Sequence, residues 1–442
     1  MPTFFDDINE TKSKLDKVSP CFCLAKWLQV TIHLHNGTTH SCHHPKVHRI
    51  PLEEIKKNAS ALHNTSFKKQ QRKLMLNGER PAECDYCWSI EDLPGEHISD
   101  RHVKSNDYWA KDKLEETAQL PWYRDVLPTY VEVSFSKVCN FKCTYCAPSF
   151  SSAWTAEMLQ HGDFPTESRH QSLEESQLSA AEASPYVDAF WKWWPKLYPG
   201  LRVFRVTGGE PLLSKDTFKV IDEIAANEKP NKNLELAFNS NLGVPNNLVE
   251  KMCQGVSGLL QSGKIKSFRL YVSLDTWGEQ AEYIRSGLNL ELFCKNLETV
   301  MHHLPEIEIT FMCTYSALSV INFKEFLKKL AEWKEKQRVL LDISYLRHPQ
   351  LLSVKLLPQE YAKDMRECLE YMKEKKFTDY EINKLQRVID YFETDAEPFY
   401  ADFFRRDFVK YFEEIDRRRG VNFVKTFPQL KSLFEEWKNI QL

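Results

Sequence analysis

Residues 130–146 read Tyr130-Val-Glu-Val-Ser-Phe-Ser-Lys-Val-Cys139-Asn-Phe-Lys-Cys143-Thr-Tyr-Cys146, a strand pattern that runs straight into a loop of cysteines. Valines alternating with polar residues give the period of two expected for a strand with one buried face. Three thiols at x3 and x2 spacing in one short loop can converge on a single metal centre. Three is one short of the four that close a structural zinc or an ordinary iron–sulfur site.

Outward from this stretch, strand and helix patterns alternate six times. The strand candidates are Tyr130–Ser134, Leu201–Val206, Leu234–Asn239, Phe268–Leu274, Ile307–Cys313 and Val339–Tyr345. Helical stretches lie between them at Val187–Leu197, Thr217–Ala226, Pro245–Leu260, Leu290–His303 and Phe323–Gln337. Such alternation argues for βαβ units and a parallel sheet. The expected fold class is α/β, a partial (β/α)6 TIM-type barrel over residues 129–350, with its functional loops at the C-terminal ends of the strands. A small metal-binding β-hairpin/helix module is expected over 1–90, a polar connector over 91–128 and a helical C-terminal cap over 351–442.

Composition bounds the function. Of 442 residues, 42% are hydrophobic and 27% charged, the balance of an ordinary globular protein. A net charge of −3 supplies no long-range pull towards nucleic acid or acidic lipid. No apolar run approaches the ~18–20 residues that cross a bilayer, and the charged N-terminus lacks the apolar core of a secretory signal. A cytoplasmic location is therefore expected, where thiols stay reduced. The 12 cysteines then need an explanation other than disulfides. Cys253, Cys294, Cys313 and Cys368 are scattered and read as small buried apolar residues; the rest cluster.

The cysteine loop, with aromatic Tyr145 before its last cysteine, resembles the motif of the radical S-adenosylmethionine (SAM) superfamily. Further segments carry the same resemblance: Thr207-Gly208-Gly209-Glu210-Pro211 after the second strand, Phe238-Asn239-Ser240-Asn241 at the third, Ser273-Leu274-Asp275 at the fourth, and Arg285 beyond it. The resemblance implies a [4Fe–4S] cluster on Cys139, Cys143 and Cys146, with SAM on the open iron. It further implies that Tyr145, Gly208, Gly209, Glu210, Pro211 and Asn239 line the cofactor, that Ser273 touches its ribose or carboxylate, and that Arg285 faces the carboxylate. The implied chemistry is reductive cleavage of SAM to methionine and a 5′-deoxyadenosyl radical, which abstracts hydrogen from a substrate. A flavodoxin- or ferredoxin-type protein would supply the electron.

A second constellation comprises Cys23, Cys42, Cys84 and Cys87. Val30, Ile32 and Leu34 alternate into Asn36-Gly37, a hairpin signal, and a helix over Phe67–Leu76 is ended by Asn77-Gly78. Four thiols ending in a Cys-x2-Cys pair can close a metal site. This arrangement resembles the twitch module, the shorter relative of the SPASM domain, although here it precedes the barrel instead of following it. The resemblance implies an auxiliary [4Fe–4S] cluster. A structural zinc, or a mixed site using His43 or His44, is the alternative, and Cys21 competes with Cys23 as first ligand. His33, His35, His40, His48 and His63 take the default of ordinary core or surface residues.

Arg347 and His348 leave the sixth strand and are substrate-contact candidates, since loops on that face carry function. The run Asp416-Arg417-Arg418-Arg419 reads as a solvated helix face. Phe399, Phe403, Phe404, Phe408 and Phe412 recur at helical spacing and would pack the cap on the barrel. Oxidation or modification of a peptide or protein side chain is the leading expectation. Oxidation of a small alcohol, sugar or other metabolite follows, and tRNA modification comes third, because the chain lacks a basic balance. A non-enzymatic cluster-binding scaffold is the rival class.

Overall fold

The computed structural model describes residues 4–95, 97–172, 185–375, 377–394 and 398–440. Six parallel strands form the expected partial barrel: β4 (Tyr130–Ser134), β6 (Val203–Thr207), β7 (Glu235–Ser240), β8 (Ser267–Ser273), β10 (Glu308–Tyr315) and β11 (Val339–Tyr345). They pair in chain order, β4 to β6 to β7 to β8 to β10 to β11. Three N-terminal strands, β1 (Gln29–His33), β2 (Thr38–His40) and β3 (His48–Arg49), share the same sheet. Two short strands, β5 (Lys142–Cys143) and β9 (Arg285–Ser286), make a separate antiparallel pair.

The hairpin expected as part of a preceding module is continuous with the barrel. β1 and β2 form it, with Gly37 at a φ of +68° in the turn. β1 also runs parallel to β4 over five residue pairs, from Gln29 against Tyr130 to His33 against Ser134. Val30, Ile32 and Leu34 therefore join Val131, Val133 and Phe135 in one apolar core with the barrel. The stretch expected as a connector is also structured. It contains helix Asp100–Asn106, and the buried Trp109, Ala110, Leu114 and Val126 pack with Leu15, Phe22, Trp27, Met75 and Trp88 in a second cluster. Helix Phe4–Val18, which the sequence pattern does not single out, contributes Leu15 to it.

Alternation along the strands sorts the two faces of the sheet. Apolar residues such as Phe204, Val206, Leu236, Phe238, Leu270, Val272, Ile309 and Phe311 are buried in the core that the outer helices cover. The other face is polar. Arg205 sits there between Asn239, which accepts from its Nε at 2.8 Å, the Glu132 carboxylate at 3.8 Å and the Tyr271 ring at 3.9 Å. A polar concave face leaves room at the strand ends for chemistry, and the helices stabilise the sheet from outside only.

The C-terminal helices close over the cysteine-loop side. Phe408 and Phe412 of helix Pro398–Arg419 are buried against Phe423, while the Phe399 side chain lies outside the described residues. The arginine run is not a wholly solvated face. Arg417 is exposed, but Arg419 pairs with buried Glu157 at 3.1 Å. Arg418 covers the Phe164 ring at 3.9 Å and donates to the carbonyls of Gly162 and Asp163. The run is thus a clamp on helix Ser152–His161, because its carboxylate and carbonyl partners come from another part of the chain.

Because Ile32 is buried in the barrel core, Ile32→Ala should cost about 2–5 kcal/mol. Urea denaturation should show one shifted transition, coincident by tryptophan fluorescence and far-UV circular dichroism. Early loss of an N-terminal segment alone would contradict the shared core.

Candidate active site

The loop after β4 is held by its backbone, which leaves its thiols free of that bonding. Lys142 and Cys143 pair with Ser286 and Arg285, and the Thr144 amide donates to the Ile284 carbonyl at 2.8 Å. Ser151 caps helix Ser152–His161 by accepting from Trp154 N, and its hydroxyl donates to the Phe141 carbonyl at 2.7 Å. The Trp154 indole donates to the Cys143 carbonyl at 2.9 Å, Tyr411 Oη to the Thr144 carbonyl at 2.6 Å, and Gln171 to the Cys146 carbonyl. Hydrogen bonds from four separate segments thus fix the loop.

Cys143 is buried and Cys139 and Cys146 are half-buried. Burial pushes the Cys139 thiol up to about 12, with Cys143 nearby adding to the shift, and raises Cys146 as well. Against that, the Phe141 amide donates to Cys139 Sγ at 3.4 Å and Arg285 Nη1 to Cys143 Sγ at 3.8 Å. Three thiols on one short loop, each costly to ionise alone and two of them facing N–H donors, fit a thiolate-bound metal cluster, whose positive metal ions would favour the ionised ligands.

Arg285 is taken up by Asp275 through Nε and Nη2 at 2.8 and 3.0 Å. Tyr145 Oη donates to the same carboxylate at 2.9 Å, and the Thr314 amide at 2.8 Å. The guanidinium expected to face a cofactor carboxylate is therefore committed to a buried ion pair behind the loop. Burial opposes its charge, but Asp275 and its neighbours outweigh that and raise its pKa. Ser273 stands two residues before Asp275, half-buried at the end of β8.

The glycines of residues 208–211 serve a close approach of two backbones. Gly208 has φ +122°, and a Cβ on it would lie 2.7 Å from the Ser136 carbonyl oxygen. A Cβ on Gly209 would lie 2.7 Å from the Lys137 carbonyl oxygen. Without side chains, the segment hydrogen-bonds the approach to Cys139, Gly209 N to Ser136 O at 3.1 Å and Glu210 N to Val138 O at 2.7 Å. The buried Glu210 carboxylate accepts from Leu212 N, Ser240 Oγ and Asn241 N, tying the loops after β6 and β7 together. Pro211 opens the single turn that follows. Asn239 is engaged with Arg205 in the concave face.

Histidines that the sequence assigns no role also reach this face. His35 Nδ1 lies 3.1 Å from Ser134 Oγ, which itself faces Gly208. The rings of His33, His35 and His40 cluster, and Phe150, four residues beyond Cys146, touches the first two. Burial holds His33 and His35 down to about 4, so both are neutral at neutral pH. His33 Nδ1 and His35 Nε2 are buried without a hydrogen-bond partner among the described residues. Only the β1–β4 pairing places them here, and no local sequence pattern encodes it.

The N-terminal cysteines gather as well. Cys23, Cys42, Cys84 and Cys87 line one cavity with Lys26, His44 and Arg101. Cys21 instead faces the Gly78 carbonyl at 3.4 Å, so Cys23 is the cavity-lining member of the pair. His44 is turned to Asp100, at 2.6 Å, and stacks on Tyr86 with ring centres 3.7 Å apart. Among the described residues, neither these four thiols nor the three of the loop after β4 stand, as placed, in a group of three or more His, Cys, Asp or Glu close enough to hold a metal ion. Lys26 is buried and paired with Glu83. Burial works against its charge, yet Cys84 and Glu83 outweigh it and raise its pKa. Behind it Lys68 and Arg72 are fully buried and bonded mainly to carbonyls, Asn64 and His63. Lys26 and Arg101, buried beside the four thiols, fit a negatively charged thiolate centre, which would offset the cost of burying them, whereas burial, with Arg72 and Lys26 close by, pushes Lys68 well below its usual value. Arg347 approaches this site from the barrel, 6.0 Å from the Tyr86 ring and 3.1 Å from Tyr345 Oη, with His348 exposed beside it.

Residues 133–327 match the family described as the Radical SAM superfamily. Among curated proteins, the chain is similar to the GTP 3′,8-cyclase of Campylobacter lari, 26% identical over 220 residues that cover 49% of this chain and 55% of that protein. It is likewise similar to that of Campylobacter curvus, 25% identical over 53% of this chain and 58% of that protein. A shorter match, 34% identical over 26% of each chain, is to the GTP 3′,8-cyclase of Mannheimia succiniciproducens. The chain thus spans about half the length of the first relatives it matches.

Two measurements follow from this geometry. Asp275→Ala leaves Arg285 buried without its carboxylate and should cost about 3–5 kcal/mol in urea denaturation, whereas Tyr145→Phe, losing one bond to a charged acceptor, should cost about 1.5–3. Burial raises the Glu210 carboxyl from 4.5 to about 7. The stability it contributes is fully present below pH 4.5 and is lost as the pH rises through about 7. The stability difference between wild type and Glu210→Gln should therefore shift across that window, on the order of 3 kcal/mol in favour of wild type at the acidic end; a pH-independent difference would contradict the raised carboxyl.

Proposed function

Since residues 133–327 are a radical SAM domain, we propose that this chain is a radical SAM enzyme that abstracts hydrogen from a substrate held between the barrel mouth and the four-cysteine cavity. The observation that carries the proposal is the fixed three-thiol loop at the strand ends, with N–H donors aimed at two of its sulfurs, those of Cys139 and Cys143. Cys139, Cys143 and Cys146 would hold a [4Fe–4S] cluster and leave one iron for SAM, and that pair supplies one-electron cleavage of the SAM sulfur–C5′ bond. The chain's own part is positional. Asp275, Arg285 and Tyr145 brace the loop from behind, Trp154 and Phe141 keep water from that side, and Gly208 and Gly209 let the next loop close against it.

Cys23, Cys42, Cys84 and Cys87 would hold the auxiliary cluster, in a twitch-like module placed before the barrel. Four thiols lining one cavity, with Lys26 as countercharge, support a thiolate-bound centre, and the likeness to twitch favours a cluster there over a single zinc ion. A fully thiolate-bound centre of that kind can accept an electron from the substrate, which supports an oxidation. A flavodoxin- or ferredoxin-type donor and a reducing, cytoplasmic setting complete the proposal; 12 free cysteines fit it. No helix among the described residues is long and apolar enough to cross a membrane.

For the substrate, the relatives named GTP 3′,8-cyclase support a small phosphorylated molecule. Their likeness reaches only part of each chain. A peptide or protein side chain is the second possibility, carried by the twitch-like cysteines.

Anaerobic reconstitution with iron and sulfide, followed by SAM and dithionite, should yield 5′-deoxyadenosine, and Cys143→Ala should abolish it. Cys84→Ala should retain uncoupled cleavage while losing the iron of the second site. Unchanged turnover in Cys143→Ala would overturn the proposal. Zinc without iron in the N-terminal site would overturn its auxiliary-cluster part, and a loaded protein that binds SAM but never cleaves it would favour the scaffold alternative.

A further inference from the structure

Beside the two cysteine sites lies a cleft of about 330 Å³. One wall is the barrel mouth, with Thr314 at the end of β10 and Tyr345 and Arg347 at the end of β11. The opposite wall is Tyr86, which sits between Cys84 and Cys87 in helix Asp85–Glu91. Lys384 and Arg387 of helix Asp379–Glu393 close the third side. The volume lies at the small end of ligand-binding clefts and suits a small molecule.

Charge in the cleft is lopsided. Lys384 is matched by Asp342 at 2.7 Å. Arg347 donates to Tyr345 Oη, and neither it nor Arg387 joins an ion pair among the described residues. No carboxylate lines the cleft. The nearest acids are Asp342, taken up by Lys384, and Asp100, taken up by the lining His44, with Glu83 and Asp85 in the adjoining recess beyond Tyr86, which leaves Arg347 and Arg387 as the cleft's unpaired cations among the described residues.

The aromatic walls are braced. Tyr86 is stacked on His44, and Tyr345 on Tyr391 with ring centres 4.1 Å apart at 13°. The Arg347 guanidinium stands 5.3 Å from the Tyr345 ring and 6.0 Å from the Tyr86 ring, between the two. A guanidinium held between flat rings keeps its fork of donors oriented, and such a fork matches the paired oxygens of a phosphate or carboxylate.

We propose that this cleft binds the oxyanion end, phosphate or carboxylate, of a small-molecule substrate, with Arg347 and Arg387 as the anion-binding residues. It rests on the radical SAM assignment only in calling the ligand a substrate; the binding site stands on its own geometry. An anion seated there would lie against the helix that carries Cys84 and Cys87 and at the mouth of the barrel, so the rest of the molecule would extend between the two thiol sites.

Calorimetric titration of the full-length, iron-loaded protein with inorganic pyrophosphate, citrate and GTP would test this. Pyrophosphate or citrate should bind, the first identifying a phosphate site and the second a carboxylate site, and should compete with GTP if GTP also binds. Arg347→Ala and Arg387→Ala should each weaken binding about 10- to 100-fold, as expected for one charged hydrogen-bonding partner. Arg338→Ala, at the opposite end of the barrel, should leave binding unchanged. No binding of any anion by the wild type at millimolar concentration, or equal binding by all variants, would overturn the proposal, as would binding of an acidic peptide alone. Measuring 5′-deoxyadenosine in parallel separates the two conclusions. Anion binding without SAM cleavage would fault the radical SAM enzyme proposal and leave the cleft intact, whereas cleavage without Arg347-dependent binding would do the reverse.

Discussion

Five residue pairs of parallel backbone, Gln29–His33 against Tyr130–Ser134, join the two halves of this protein. The pairing turns the hairpin into a further barrel strand and fixes where everything attached to it must lie. Cys42 follows β2 directly, and the three-thiol loop follows β4, so one sheet edge sets the relation between both cysteine sites. Parallel strands need a long crossover. Here the crossover is the whole stretch from residue 41 to 129, which carries Cys84 and Cys87 and builds the second apolar cluster on the way.

Both cysteine sites use the same electrostatic arrangement. Each sets a buried cation near its sulfurs and ties that cation to one carboxylate: Arg285 with Asp275 at the barrel loop, Lys26 with Glu83 at the N-terminal cavity. A lone buried cation would be costly. At the barrel loop, Asp275 takes up Nε and Nη2 of Arg285 and leaves Nη1 directed at Cys143. The N-terminal site goes further, with Lys68 and Arg72 buried behind Lys26.

Much of the barrel was legible in the sequence. The alternation at Tyr130–Ser134 and Val339–Tyr345 and the apolar spacing at Leu290–His303 mark elements with the same bounds in the structure. Local periodicity reports which face of an element is buried, and that is enough for units that pair with their chain neighbours. It says nothing of which distant strand will lie alongside. Hence β1 reads as half of an isolated hairpin, and His33 and His35 read as unremarkable residues until β4 is beside them. The same limit explains Arg285, whose partner Asp275 is visible in the sequence only as a neighbour of Ser273, and Arg418 and Arg419, whose partners precede them by some 260 residues. The three-thiol loop is compact in sequence and so was legible whole; the four-thiol cavity draws on three segments, and the choice between Cys21 and Cys23 needed coordinates.

The contact of Tyr411 with the Thr144 carbonyl spans 267 residues of chain. A ribosome delivers Thr144 long before Tyr411, so during synthesis the cysteine loop emerges with this carbonyl uncapped and helix Ser152–His161 without its arginine clamp. The braces from residues 151–171 and 284–286 are in place earlier, and the Tyr411 bond and the arginine clamp are added when the C-terminal helix docks. The loop's last brace is thus also the last to be synthesised, and its complete set of hydrogen bonds belongs to a chain whose C-terminal helix has docked.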